Sequence, residues 1–153
     1  MKKNKGFTLI ELLAVIAILA IVLLIAIPTV LNMIDRARIG SFRDSCLSIV
    51  KTAEAQAALF NIEEQNLIGD YCVGANFEAG VVCTITAGKL FDMDLTNWTG
   101  SITIIRSDSI WEVQLADGLT NGVKSITTEV EDYDDDYVTK AQLSETGWED
   151  FIE

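Results

Sequence analysis

Lys5-Gly6-Phe7-Thr8-Leu9-Ile10-Glu11 leads into LLAVIAILAIVLLIAI, sixteen consecutive apolar side chains from Leu12 to Ile27, followed by Pro28. From Phe7 to Ile34 the apolar character is broken only by Thr8, Glu11, Pro28, Thr29 and Asn32. A helix that crosses a membrane needs about 20 largely apolar residues, and Phe7 to Ile27 supply them. Lys2, Lys3 and Lys5 stand directly before the run. The positive-inside rule then keeps the N-terminus in the cytoplasm and puts the rest of the chain outside. A secretory signal would show a small-x-small cleavage site after the run. Ile27-Pro28-Thr29-Val30-Leu31 has none, and the first cysteine, Cys46, lies too far downstream for a lipoprotein signal. The apolar run is therefore expected to stay in the mature protein.

Glu11 is the informative exception in this run. A carboxylate inside an apolar span is costly to insert and is a functional candidate by default. The competing reading has it near the interface, with its head reaching water. Its neighbours decide. A basic leader ending in Gly6, then Phe7-Thr8-Leu9-Ile10-Glu11 opening an apolar helix, resembles the type IV prepilin signature. The match runs from residue 2 to about residue 38. It includes Pro28, which falls where that family has a helix-kinking proline.

The resemblance implies a processing and assembly scheme. A membrane-embedded aspartic prepilin peptidase would remove the leader, residues 1–6, by cutting between Gly6 and Phe7. The same enzyme class would methylate the new Phe7 amine. Subunits would then pack their helices into a helical filament, a homo-oligomer in which Glu11 partners a neighbour's Phe7 amine. The chemistry agrees. Gly6 has no side chain to obstruct a protease. Cleavage creates a cation one helical turn before Glu11, which is placed to pair with its own amine or a neighbour's. Glu11 also lies in the first helical turn, where the helix dipole favours negative charge. Pro28 removes one ladder hydrogen bond. It reads as a kink rather than a helix end, because helical periodicity resumes beyond it.

Phe42, Cys46, Ile49, Ala53, Ala57 and Phe60 recur every three or four residues, one apolar stripe at helical spacing. The expected helix therefore covers residues 7–60, about 80 Å long, with residues 7–27 as membrane span and assembly core. Residues 61–153 form an extracytoplasmic head that buries the stripe. Residues 61–100 read mostly as loop with a short strand from Val81 to Thr86. Ser101–Arg106 and Ile110–Leu115 read as a hairpin. Trp111, Val113 and Leu115 alternate with Glu112 and Gln114, so one face is buried and the other wet. Val123–Val130 is expected to add a third strand. The fold class is α+β, a long helix on a small antiparallel sheet, in agreement with a pilin-like architecture.

Charge and composition narrow the function. The chain of 153 residues has 11 basic and 23 acidic groups, net −12, and no histidine. Residues 1–60 hold seven basic and four acidic groups, net +3; residues 61–153 hold four and nineteen, net −15. An acidic head is a poor partner for phosphates, so direct nucleic-acid binding is not expected. The lack of histidine removes Ser-His-Asp, Cys-His and His-ligated metal sites. No nucleophile elbow or phosphate-cradling glycine loop is present either. The chain reads as a non-enzyme with no required cofactor.

Two features stay open. Glu129, Glu131, Asp132, Asp134, Asp135 and Asp136 form an acidic cluster without EF-hand spacing. It is either a solvated loop or a Ca²⁺ site through Asp132, Asp134 and Asp136, as some pilins and pseudopilins have in C-terminal loops. Cys72 and Cys83 flank a ten-residue loop. A Cys72–Cys83 bridge, three reduced thiols, and a bridge using Cys46 all remain.

The leading expectation is a structural subunit of a type IV pilus or pilus-like filament. The alternatives are a pseudopilin of a type II secretion or DNA-uptake system, and a monomeric signal-anchored binding module. Expected partners are the membrane, the prepilin peptidase, and an assembly platform with cytoplasmic ATPases, since this chain has no nucleotide motif. It is expected in the cytoplasmic membrane before assembly and in an extracellular filament after it.

Overall fold

The structure is a computed structural model that describes residues 6–63, 72–73, 77, 79–107, 110–130, 133 and 135–153. One helix dominates it: α1, Leu9–Glu63, 55 residues long. The chain divides into two compact units, Met1–Ala37 and Arg38–Glu153. The expected start at residue 7 moves to Leu9 because Thr8 caps the helix from outside. α1 continues through Pro28, so this proline does not end the helix. Thr29 Oγ1 donates to the Ile25 carbonyl at 3.4 Å in the same turn.

In the first unit every large apolar side chain from Leu9 to Ile34 is at least 43% exposed. These residues have no core of their own. The second unit has one. Among the described residues it holds seven strands: β1 (Cys72–Val73), β2 (Val81–Thr84), β3 (Lys89–Leu90), β4 (Met93–Asp94), β5 (Ser101–Ser107), β6 (Ile110–Ala116) and β7 (Tyr137–Thr139). The main sheet runs β1-β2-β5-β6-β7, antiparallel throughout, and β3–β4 is a separate hairpin. It is a meander interrupted once by that small hairpin.

Period-2 alternation puts Val81 and Cys83, Ile102 and Ile104, Val113 and Leu115, and Val138 on the buried face. These residues join Phe42, Cys46, Ile49, Val50, Ala53 and Ala57 of α1 in one cluster. The stripe read from helical spacing is thus the packing face, with Val50 added; the side chain of Phe60 lies outside the described residues. Each fully buried Leu, Ile or Phe contributes about 1.5–3 kcal/mol of apolar transfer. Phe42 also stacks on Trp98, with ring centroids 5.2 Å apart.

Two further contacts fasten the C-terminal segment to α1. Arg43 Nε donates to the Leu143 carbonyl at 2.6 Å, and its guanidinium lies 4.6 Å from the Trp148 ring centroid. Lys140 Nζ reaches both Glu54 oxygens at 3.0 and 2.9 Å.

The expected third strand at Val123–Val130 is not there. Only Ile126 of that segment is buried, and Val123 is 64% exposed. Its backbone instead makes isolated bridges. Ile126 N donates to the Leu119 carbonyl, while Ser125 and Glu153 exchange backbone hydrogen bonds at 2.8 and 3.0 Å. The chain's own C-terminus takes the place of a sheet neighbour, and β7 pairs with β6 instead. Residues 61–100, read mostly as loop, contain β1, β3 and β4 besides β2. The Thr86–Lys89 bridge closes over Ala87 and Gly88, whose φ values are 51° and 74°. Positive φ at both central residues is the hairpin geometry that matches strand twist.

Candidate functional site

The N-terminal end of α1 is built by local hydrogen bonding. Thr8 stands before the first helical residue, Leu9, and its carbonyl accepts the Leu12 N–H at 3.3 Å. The Thr8 N–H and the Thr8 hydroxyl both donate to Glu11 Oε2 at 2.8 Å. Glu11 N donates back to Thr8 Oγ1 at 3.3 Å. This is a capping box, in which a Thr and a Glu three residues on satisfy each other's orphaned backbone donors. Thr-x-x-Glu before an apolar run was a signal legible in the sequence, and reading Glu11 only as a charge missed Thr8.

Residues 6, 7 and 8 lie outside the helix. Gly6 is exposed, and a Cβ added there would meet nothing within 4 Å. Phe7 is 94% exposed. The Gly6–Phe7 bond therefore sits in open, non-helical backbone one residue before the cap. An extended chain can enter a protease cleft, whereas helical backbone has its carbonyls and amides occupied. Phe7 precedes Glu11 by four residues. Lys2, Lys3 and Lys5 lie outside the described residues.

The remaining sequence-predicted residues lie in the head, except Pro28. Cys72 and Cys83 are opposite one another in the β1–β2 register and are joined as a disulfide. Cys46 is free and fully buried among apolar neighbours, and burial pushes its thiol up to about 12. Asp132 and Asp134 lie outside the described residues. Asp136 is exposed, and the described residues contain no group of three or more His, Cys, Asp or Glu placed to hold a metal.

One opening in the head was not anticipated. A groove of about 600 Å³ is lined by Glu54, Trp111, Glu112, Asp135, Tyr137 and Lys140, among others. Burial, then the charges of Asp135 and Glu112, push the Tyr137 phenol above its ordinary value. Tyr133, raised by burial and then by Asp135, donates its hydroxyl to the Tyr137 carbonyl. Glu54 stands far before Trp111 in the chain, and Glu112 far before Asp135, so only the tertiary fold brings them together.

Two of the three comparisons with known proteins are silent: no curated protein and no solved structure matches the chain. The third is specific. Residues 1–27 match the family model described as the prokaryotic N-terminal methylation motif. α1 is long and apolar enough in its first half to cross a membrane, consistent with anchoring there. This chain thus carries the signature shared by type IV pilins and pseudopilins, on a pilin-like α+β fold of one long helix and a small antiparallel sheet.

Proposed function

We propose that the chain is a structural subunit of a type IV pilus or pilus-like filament. It is cleaved after Gly6, N-methylated at Phe7, and polymerises through the N-terminal half of α1. The observation that carries the reading is the conjunction of the methylation motif with an apolar stretch of α1, Leu9 to Ile34, whose large side chains are all exposed. A surface of that size needs lipid or other subunits around it. The membrane supplies the cover before assembly, and neighbouring copies supply it afterwards in an extracellular filament. The prepilin peptidase acts on the Gly6–Phe7 bond, and an assembly platform with cytoplasmic ATPases extrudes the subunit.

Mass spectrometry of the mature N-terminus, in membrane and sheared surface fractions of the native host, tests this. Methylated Phe7 with residues 1–6 gone, abundant in the sheared fraction, is the expected result. The same processed N-terminus confined to the cell envelope would favour a short pseudopilus of a secretion or DNA-uptake system. An intact N-terminus in the membrane alone, with the peptidase present, would overturn the reading and leave a signal-anchored module.

A further inference from the structure

We propose that the groove beside Glu54 receives Arg38 from a second copy of this chain. The inference rests on the polymerising reading above and adds a specific contact to it.

The groove is polarised. Of its carboxylates, Glu54 is held bidentately by Lys140. Glu112 and Asp135 make no ion pair among the described residues. Both line the groove together with Tyr137. Beside them stand the rings of Trp111 and Tyr137. Carboxylates next to aromatic rings suit a guanidinium, which forks onto a carboxylate and stacks on a ring face.

The chain itself offers the complementary charge. Its cations are concentrated before residue 60, where the net is +3, while the region from residue 61 on is −15. Arg38 is exposed on α1, immediately after the apolar stretch that the polymerising reading packs together. Copies inserted in one membrane share one orientation, so their helices run parallel. Arg38 and Glu54 are sixteen residues apart on α1, about 24 Å along the axis. Parallel copies staggered by about that much bring Arg38 of one level with the groove of the next. Groove and arginine are different surfaces, so the contact is heterologous. A heterologous contact that does not close propagates into an open helical filament.

Three strains of the full-length chain test this, each checked for equal membrane levels. Arg38→Glu is expected to lower the sheared filament yield about fivefold or more, since like charges across an interface are strongly unfavourable. Arg38→Glu combined with Glu112→Arg is expected to restore most of that yield. In filaments of Arg38→Lys, a zero-length carbodiimide is expected to produce a covalent dimer whose cross-linked peptide joins position 38 to Glu112 or Asp135. Wild-type filaments with an undiminished Arg38→Glu yield and no such cross-link would overturn the groove contact alone. A wild type that is processed or unprocessed but forms no filament would overturn the polymerising reading and this contact with it.

Discussion

Thr8 and Glu11 hold each other in both directions: Thr8 donates twice to Glu11 Oε2 at 2.8 Å, and the Glu11 N–H returns a bond to Thr8 Oγ1 at 3.3 Å. The carboxylate is thus both a cap and a charge. Oε1 accepts no hydrogen bond among the described residues, so one oxygen remains for an amine. Cleavage after Gly6 would place that amine four residues before Glu11. The capping role is served within one subunit, and on the proposed function the charge role needs the cut N-terminus.

These two roles separate by substitution. Glu11→Ala removes both, and Glu11→Gln keeps an acceptor for Thr8 while losing the charge. Both variants are expected to insert in the membrane. Both should lower the sheared filament yield about tenfold or more, because an unpaired charge in apolar surroundings is costly. Immunoblots of sheared and membrane fractions read this directly. Wild-type yield from Glu11→Gln would show that capping alone suffices.

The two ties between α1 and the C-terminal segment should differ in worth. The Lys140–Glu54 pair is 45% and 27% exposed at its side chains, and such pairs contribute about 0–1 kcal/mol. Arg43 bonds a backbone carbonyl and lies over the Trp148 ring. Its loss removes a charge-assisted hydrogen bond and a cation–π contact, together about 2 kcal/mol. Thermal melts of the full chain in detergent should show Arg43→Ala clearly destabilised and Lys140→Ala nearly unchanged. The reverse order would refute this ranking.

Local periodicity carried much of the architecture. The stripe from Phe42 to Ala57, the Ser101–Ala116 hairpin and the α+β class all follow from spacing, because helix and strand faces repeat at fixed intervals. Long-range pairing did not follow. Val123–Val130 has strand-like composition, yet Ser125 and Thr127 bond the chain's last residues, at Glu153 and Phe151. No local pattern reveals that the C-terminus will occupy that edge. The Arg43 anchor and the groove by Glu54 are hidden for the same reason, since their parts meet only in the folded head. At the N-terminus the situation is reversed. The N-terminal methylation motif was legible because it is contiguous.

Gly100 has φ +126°, and a Cβ there would lie 2.8 Å from Leu119 Cα. Leu119 is fully buried. Gly100→Ala therefore combines an unfavourable backbone conformation with a backbone clash. A loss of about 2–3 kcal/mol is expected, visible as a lower denaturation midpoint. An unchanged midpoint would mean the strand end shifts freely.

The Cys72–Cys83 bridge ties the edge strand β1 to β2. Closing a loop of this length stabilises by about 3 kcal/mol on the chain-entropy account. Cys72→Ser/Cys83→Ser should melt lower than the wild type, and reductant should lower the wild type toward it while leaving the double variant unmoved. Intact mass after alkylation should show one reactive thiol in the oxidised, unfolded protein. Three would contradict the bridge.

That one thiol is Cys46, and burial sets its behaviour. Its folded value is about 12 against 9.0 for the free group. The folded state therefore holds the proton more tightly than the unfolded state. The resulting stability is fully present below pH 9 and is lost as pH rises from 9 toward 12. The thiolate is the nucleophile, so iodoacetamide at pH 8 should leave the folded chain unmodified and label it once denaturant is added. Cys46→Ala, which cannot ionise, should lose less stability than the wild type between pH 9 and 11. Rapid labelling of the folded chain at pH 8 would show that the stripe opens at Cys46, and that the helix–sheet core is looser there than its complete burial implies.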